Sequence, residues 1–367
     1  MILTNIEVRK NRLKHSPAEL INDMKLRIAY RRPLSAKVRE KVANVAERAY
    51  PRLARLWSSR VRDCKPTIPV EWEHSGQKID VAPFVFSSNS GVVLYQGGVF
   101  TRITERASYG VTVDKAGALL LEELVGVSRS VGVNRWTYAR VIRKLGTNAA
   151  SVPIVRFLHR AAHQIDIVDG RLAIVETRLN TISLFELSSG QLVRQVLPAG
   201  KPMNGASANY KHFNSIYADG SNIYLIASNN LVTRGRFSEI FKLDRDWQVI
   251  AVITTSSGHA HNVYVEDGVI WHCNSSDGEL VVGSDVAFKT DRYMPRGLAN
   301  NGHHILVGGS QNTRPASART TGYGGIIVLD ASFTPICHFH FPNVGCVMEV
   351  RFLQNDRCIS RSFGSHI

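Results

Sequence analysis

From about residue 67 onward the chain alternates in short apolar and polar steps, punctuated by Gly, Asn and Asp. Period-two alternation over four to eight residues, bounded by such turn residues, predicts β-strands. Three segments repeat the pattern in register: HQIDIVDGRLAIVETRLNTISLFEL from His163, HFNSIYADGSNIYLIASNNLV from His212, and HNVYVEDGVIWHCNSSDGEL from His261. Each opens on a histidine, alternates, turns at an Asp-Gly pair (169–170, 219–220, 267–268) and resumes as a second strand. Asp-Gly tolerates the positive φ that a tight hairpin needs. The leading histidines lie 49 residues apart in both intervals. Weaker copies begin at Tyr109, Arg296 and Glu349.

Repeats of this length with about four strands each predict a β-propeller. Six starts predict six blades, with seven open because residues 67–108 are hard to phase. The copy at Glu349 leaves room for two strands before the last residue. The β segment at 67–104 would then complete that blade, so the fold class is all-β, a propeller over 67–367 closed by strands from both ends.

The first 66 residues read differently. Ser16-Pro17-Ala-Glu19 has the form of a capping box with proline at the first helical position. Val38, Val42, Val45, Ala46, Ala49, Leu53, Leu56 and Trp57 recur at helical spacing, with Pro51 expected to split the segment. Residues 1–62 hold 16 Lys/Arg against 5 Asp/Glu, an excess of 11, which leaves +4 of the net +15 for the rest of the chain. This basic helical segment is expected either to dock its apolar face on the propeller or to recruit an acidic protein or membrane surface. Nucleic acid is disfavoured, since no recognition-helix, RNP or zinc-finger pattern accompanies the charge.

No apolar run is long enough to span a membrane and no secretory leader is evident. Five cysteines, odd in number and without CxxC pairing, point to reduced thiols and a cytoplasmic home. Walker-type loops, the Rossmann glycine fingerprint and the G-x-S-x-G elbow are absent.

In a propeller the innermost strand of each blade lines the central channel. The six leading positions, Tyr109, His163, His212, His261, Arg296 and Glu349, should therefore converge although they are far apart in sequence. Imidazoles from three blades predict a metal centre of one Zn, Fe, Mn or Cu ion on His163, His212 and His261, with an open position for water or substrate. Glu349 would be fourth ligand or base, Tyr109 a proton donor, and Arg296 the anchor of an anionic group. Asn180, Asn214, Arg234, His259, Asn274, Gln311 and Arg351 are expected to contact substrate from the same face. His272, His303, His304, His338 and His340 are expected to be structural. A channel lined by histidines without metal, and a non-catalytic binding platform, remain as alternatives.

His212-Phe-Asn214, the hairpin Trp271-His-Cys-Asn274-Ser-Ser-Asp-Gly-Glu279 and Arg296-Gly-Leu-Ala299 carry a resemblance over about residues 109–353. The chain resembles the six-bladed propeller superfamily of NHL-repeat proteins, gluconolactonase-like enzymes and peptidyl-hydroxyglycine amidating lyase, and within it a bacterial group of His-rich propellers. The lyase holds a catalytic zinc with channel histidines from separate blades, and His163, His212 and His261 match that logic. Gluconolactonase-like enzymes use carboxylate and asparagine ligands instead, so a lactonase reading does not follow. The resemblance implies a metal-dependent lyase, hydrolase or isomerase acting on a polar or anionic small molecule or sugar. With iron or copper, the same scaffold would be an oxygenase or oxidase.

Overall fold

The computed structural model describes residues 70–74, 80–105, 107–114, 119–127, 135–142, 151–157, 162–177, 179–200, 210–229, 235–312 and 321–353. The expected helices of residues 1–66 and the site residue Arg234 lie outside them. Among the described residues all regular structure is strand, and no helix is long and apolar enough to cross a membrane.

The described residues form six antiparallel sheets. In the first, β1 (Glu71–His74) is added at the edge of β24 (Pro335–Phe341), which continues through β23 (Gly324–Asp330) and β22 (His304–Gln311) to β21 (Tyr293–Asn300). The second runs from β25 (Val347–Phe352) to β2 (Phe84–Ser88), β3 (Gly91–Gln96) and β4 (Val99–Thr104). The other four follow the chain: β5 (Val111–Val113), β6 (Leu119–Val127), β7 (Arg135–Ile142), β8 (Ser151–Phe157); then β9 (Ala162–Val168), β10 (Arg171–Glu176), β11 (Thr181–Glu186), β12 (Leu192–Val196). The next is β13 (Phe213–Ala218), β14 (Ile223–Ala227), β15 (Glu239–Leu243), β16 (Val249–Thr254), and the last β17 (Ala260–Glu266), β18 (Val269–Asn274), β19 (Glu279–Val282), β20 (Asp285–Lys289). The first strands of the blades, β25, β5, β9, β13, β17 and β21, contact one another in that order, and β21 returns to β25. The fold is a six-bladed β-propeller.

Local sequence explains the hairpins. Asp169-Gly170 and Asp267-Gly268 both take positive φ, at 52° and 72° and at 51° and 80°, which twists the turn with the strands. Asp219-Gly220 differs: the Asp219 carboxylate accepts the Ser221 and Asn222 amides at 2.9 and 2.7 Å, an Asx turn in a longer loop.

Chain closure joins the two ends. β25 pairs with β2 from Phe352–Phe84 to Val347–Ser88, so β2 fills the second position that the sequence left for a strand after residue 349. The remaining early strand, β1, pads the neighbouring blade. A cluster of Phe84, Tyr95, Phe100, Phe339, Phe341 and Phe352 welds the two blades, with the Phe84 and Tyr95 rings stacked at 4.8 Å. Burying each such side chain contributes about 1.5–3 kcal/mol.

Candidate functional site at the channel mouth

The inner strands share one irregularity. On β9, His163 and Gln164 together face Val175; on β13, β17, β21 and β25 the extra residues are Asn214, Asn262, Arg296 and Met348. Five consecutive first strands thus carry a β-bulge at one level. A bulge bends the strand and re-aims the side chains beside it.

The bulges correct the phase read from sequence. Bulge positions 164, 214 and 262 match the spacing of the Asp-Gly turns, whereas His212 falls one residue earlier than His163 and His261. Its backbone sits at φ 55°, a left-handed conformation that lets an out-of-phase residue reach its neighbour. Arg296 is level with Asn262. Glu349 lies beyond its bulge, two positions deeper than His163 and His261.

Six expected residues meet at the mouth. The Tyr109 and His163 rings are 5.1 Å apart, His163 and His212 5.5 Å, and His259 and His261 4.6 Å. His261 lies in the field of Arg296, His259, His163 and His212. Gly110 permits the close approach of β5 to β9, since a Cβ there would stand 2.7 Å from the Ile165 nitrogen and 2.8 Å from the His163 carbonyl oxygen. The rim is built from the loops after each second strand. Asn180, at φ 53°, accepts the Lys211 and His212 amides at 2.9 and 3.1 Å, and the Ser275 amide donates to the His259 carbonyl at 3.2 Å.

His261 is held in a defined state. Its Nδ1 is 2.8 Å from Ser275 Oγ and 3.2 Å from the His259 carbonyl oxygen. The Ser275 hydroxyl donates to the Pro295 carbonyl, so its oxygen accepts, and a carbonyl can only accept. Both contacts require Nδ1–H. The proton-free nitrogen is Nε2. Burial first, then the Arg296 guanidinium and the other imidazoles, hold the His261 pKa well below its ordinary value. Arg296 is half-buried, with Nη1 3.7 Å from Met348 Sδ and no hydrogen-bond partner for Nε among the described residues. A guanidinium with unspent donors beside the neutral His261 imidazole makes the mouth a place for an anion.

Glu349 belongs to a second layer. It is 2% exposed, accepts from Gln164 and from Asn262 Nδ2 at 3.2 Å, and lies 3.1 Å from Arg351 Nε. Arg351 in turn stands 3.8 Å from Asp166, which accepts from Thr112 at 3.0 Å. Burial pushes the Glu349 carboxyl up to about 7, against the pull of Arg351, Asn262 and Gln164. Arg351, expected to meet substrate, is occupied inside this layer.

Other expected contacts are spent on the fold. Asn214 donates to the Ala260 carbonyl at 2.9 Å and accepts from Ser215 at 2.7 Å. Asn274 accepts from Ser257 at 2.7 Å and donates to Asp277 and Glu279 at 2.8 and 2.9 Å, closing its hairpin. Gln311 ends β22, where its backbone N–H, and not its side chain, donates to the Tyr323 carbonyl at 3.0 Å. His272 is buried on β18, and burial drops it to about 4. His338 and His340 share the buried Tyr293 hydroxyl at 2.5 and 3.1 Å. Sequence reasoning missed Ser275, Gln164, Asn262 and Asp166. The available signal was the polar residue directly after a leading histidine, in His163-Gln164 and His261-Asn262.

A metal on His163, His212 and His261 needs all three to point donor nitrogens at one spot. Among the described residues no three His, Cys, Asp or Glu side chains do so. Glu349 is engaged by Gln164, Asn262 and Arg351.

No family model matches the chain, and no curated protein matches it. Among solved structures it is similar to a chain of the nidogen/laminin complex, with 11% identity and a TM-score of 0.53, over 74% of this chain and 98% of that one. A Bacteroides caccae protein of unknown function aligns at 11% identity and TM-score 0.47, over 74% and 98%. A 6-phosphogluconolactonase-like protein from Bacteroides uniformis aligns at 9% and 0.45, over 71% and 82%. At such identity the first likeness concerns the propeller fold alone, and the other two are too distant to argue from.

Proposed function

We propose that the channel mouth is the reaction centre of an enzyme acting on a polar, anionic small molecule or sugar. The state of His261 carries the proposal: a buried, neutral imidazole, its Nδ1–H fixed by Ser275 and the His259 carbonyl, with Nε2 as an available base. A base pre-oriented through its other nitrogen is how imidazole does proton-transfer chemistry. Arg296 binds the anionic group through donors not used by the fold. Tyr109, packed on His163, donates a proton to the leaving or rearranging oxygen. Reactions that begin by removing a proton fit this set: a lyase or isomerase step, or hydrolysis through an activated water.

The test is a panel of sugar acids, sugar phosphates and their neutral parent sugars, scored by thermal shift and then by turnover. Anions should stabilise the native protein and fail to stabilise Arg296→Gln. His261→Gln should keep binding and lose turnover. Equal binding of neutral sugars, or binding indifferent to Arg296, sinks the reading.

A further inference from the structure

The outermost strand of each blade leaves one row of backbone amides and carbonyls unpaired, an invitation to another strand. Five of the six outer strands are blunted. β4 carries Arg102, β8 Pro153 and Arg156, β12 Arg194, and β20 Asp285 and Lys289, while β24 is covered by β1. The exception is β16, with the sequence VIAVIT. It has no charge, no proline and, among the described residues, no strand beyond it. It is apolar on both faces and open to solvent: Val249 is 38% exposed, Ile250 53%, Val252 48% and Ile253 41%. A bulge at Ile250 does not set it apart, because the other five outer strands have one as well.

We propose that β16 is a homodimer interface, pairing antiparallel with β16 of a second copy into one continuous eight-stranded sheet. Such an edge needs an extended, uncharged, apolar strand of equal length, and Val249–Thr254 is itself that strand. Pairing about Val252 sets Val252 against its own copy and Ala251 against Ile253. This lies in the regular stretch, where Ala251–Thr254 pair without interruption with β15. The two-fold sets Val252 against itself, Ala251 against Ile253 and Ile250 against Thr254, so no charges meet across the seam.

The experiment is light scattering on the full chain over a concentration series, beside Val252→Lys and Val286→Lys. The second variant adds the same charge to an equally exposed position on the already charged β20. The native chain and Val286→Lys should show the mass of a dimer. Val252→Lys, which sets two ammonium groups against each other, should show half that mass with an unchanged near-UV circular dichroism spectrum. A native monomer at every concentration, or a dimer that survives Val252→Lys, overturns the proposal. So does slow amide exchange along β16 in a monomer, since another segment or another kind of protein would then be its cover.

Discussion

His261 Nδ1 lies 2.8 Å from the Ser275 hydroxyl, which hands its own proton to the Pro295 carbonyl. That ordered pair fixes the tautomer, and the first prediction follows from it. Long-range proton–nitrogen NMR correlations should show Nδ1 of His261 protonated and Nε2 bare, with no protonation until the pH is well below 6.5. A protonated Nε2 at neutral pH would remove the base from the proposed reaction. In turnover assays His261→Gln should lose about 10²–10⁴-fold, and Ser275→Ala should lose less, because the His259 carbonyl still accepts the Nδ1 proton.

Replacing Arg296 by Gln should weaken anion binding by roughly 1.5–3 kcal/mol, the usual worth of a hydrogen bond to a charged group. Calorimetric titration with the anion selected from the panel gives the number. The thermal midpoint without ligand should move little, since among the described residues the guanidinium's hydrogen-bond contact is the long one to Met348 Sδ.

The Glu349 carboxyl sits at about 7 in the fold against an ordinary value of 4.5. Between those pH values the native state binds more protons than the unfolded chain, so the stability linked to this group declines as pH rises through the window. Glu349→Gln abolishes that titration. Its stability relative to the native sequence should therefore improve from pH 4.5 to 7, read as the difference in urea midpoints. A relative loss over the same range would mean that Arg351 outweighs burial.

Gly110→Ala pushes a methyl group against the Ile165 nitrogen and the His163 carbonyl. Overpacking of this kind costs about 1–3 kcal/mol, measurable by urea unfolding. The variant should also separate the Tyr109 and His163 rings and lower turnover without touching Arg296-dependent anion binding.

Elemental analysis of the purified chain addresses the metal expectation directly. The arrangement of His163, His212 and His261 leads us to expect no stoichiometric Zn, Fe, Mn or Cu. About one ion per chain, lost in a His212→Ala/His261→Ala double variant, would restore the three-histidine centre.

Sequence carried the blade count because it follows from a repeat. An Asp-Gly turn marks a hairpin wherever it stands, and equal steps along the chain become equal steps around an axis. It did not reveal the bulges, which exist only in the pairing between strands. That is why Glu349 was expected beside the imidazoles and is found below them with Gln164, Asn262 and Arg351. It is also why the equal spacing of the three histidines overstated their equivalence: His212 reaches the group through a left-handed backbone and not through phase. Asn214 and Asn274 were read as rim donors because side-chain chemistry is visible in a sequence and its local partners are not.

The closing strand β25 is the last of the described strands in chain order, and it carries both Glu349 and Arg351. During synthesis, five blades emerge before the channel has its buried ion pair. Until β25 docks between β21 and β5, Gln164 and Asn262 lack the carboxylate that joins them across the axis. Ribosome-bound chains halted before residue 347 should therefore have folded hairpins but an open, ligand-incompetent ring.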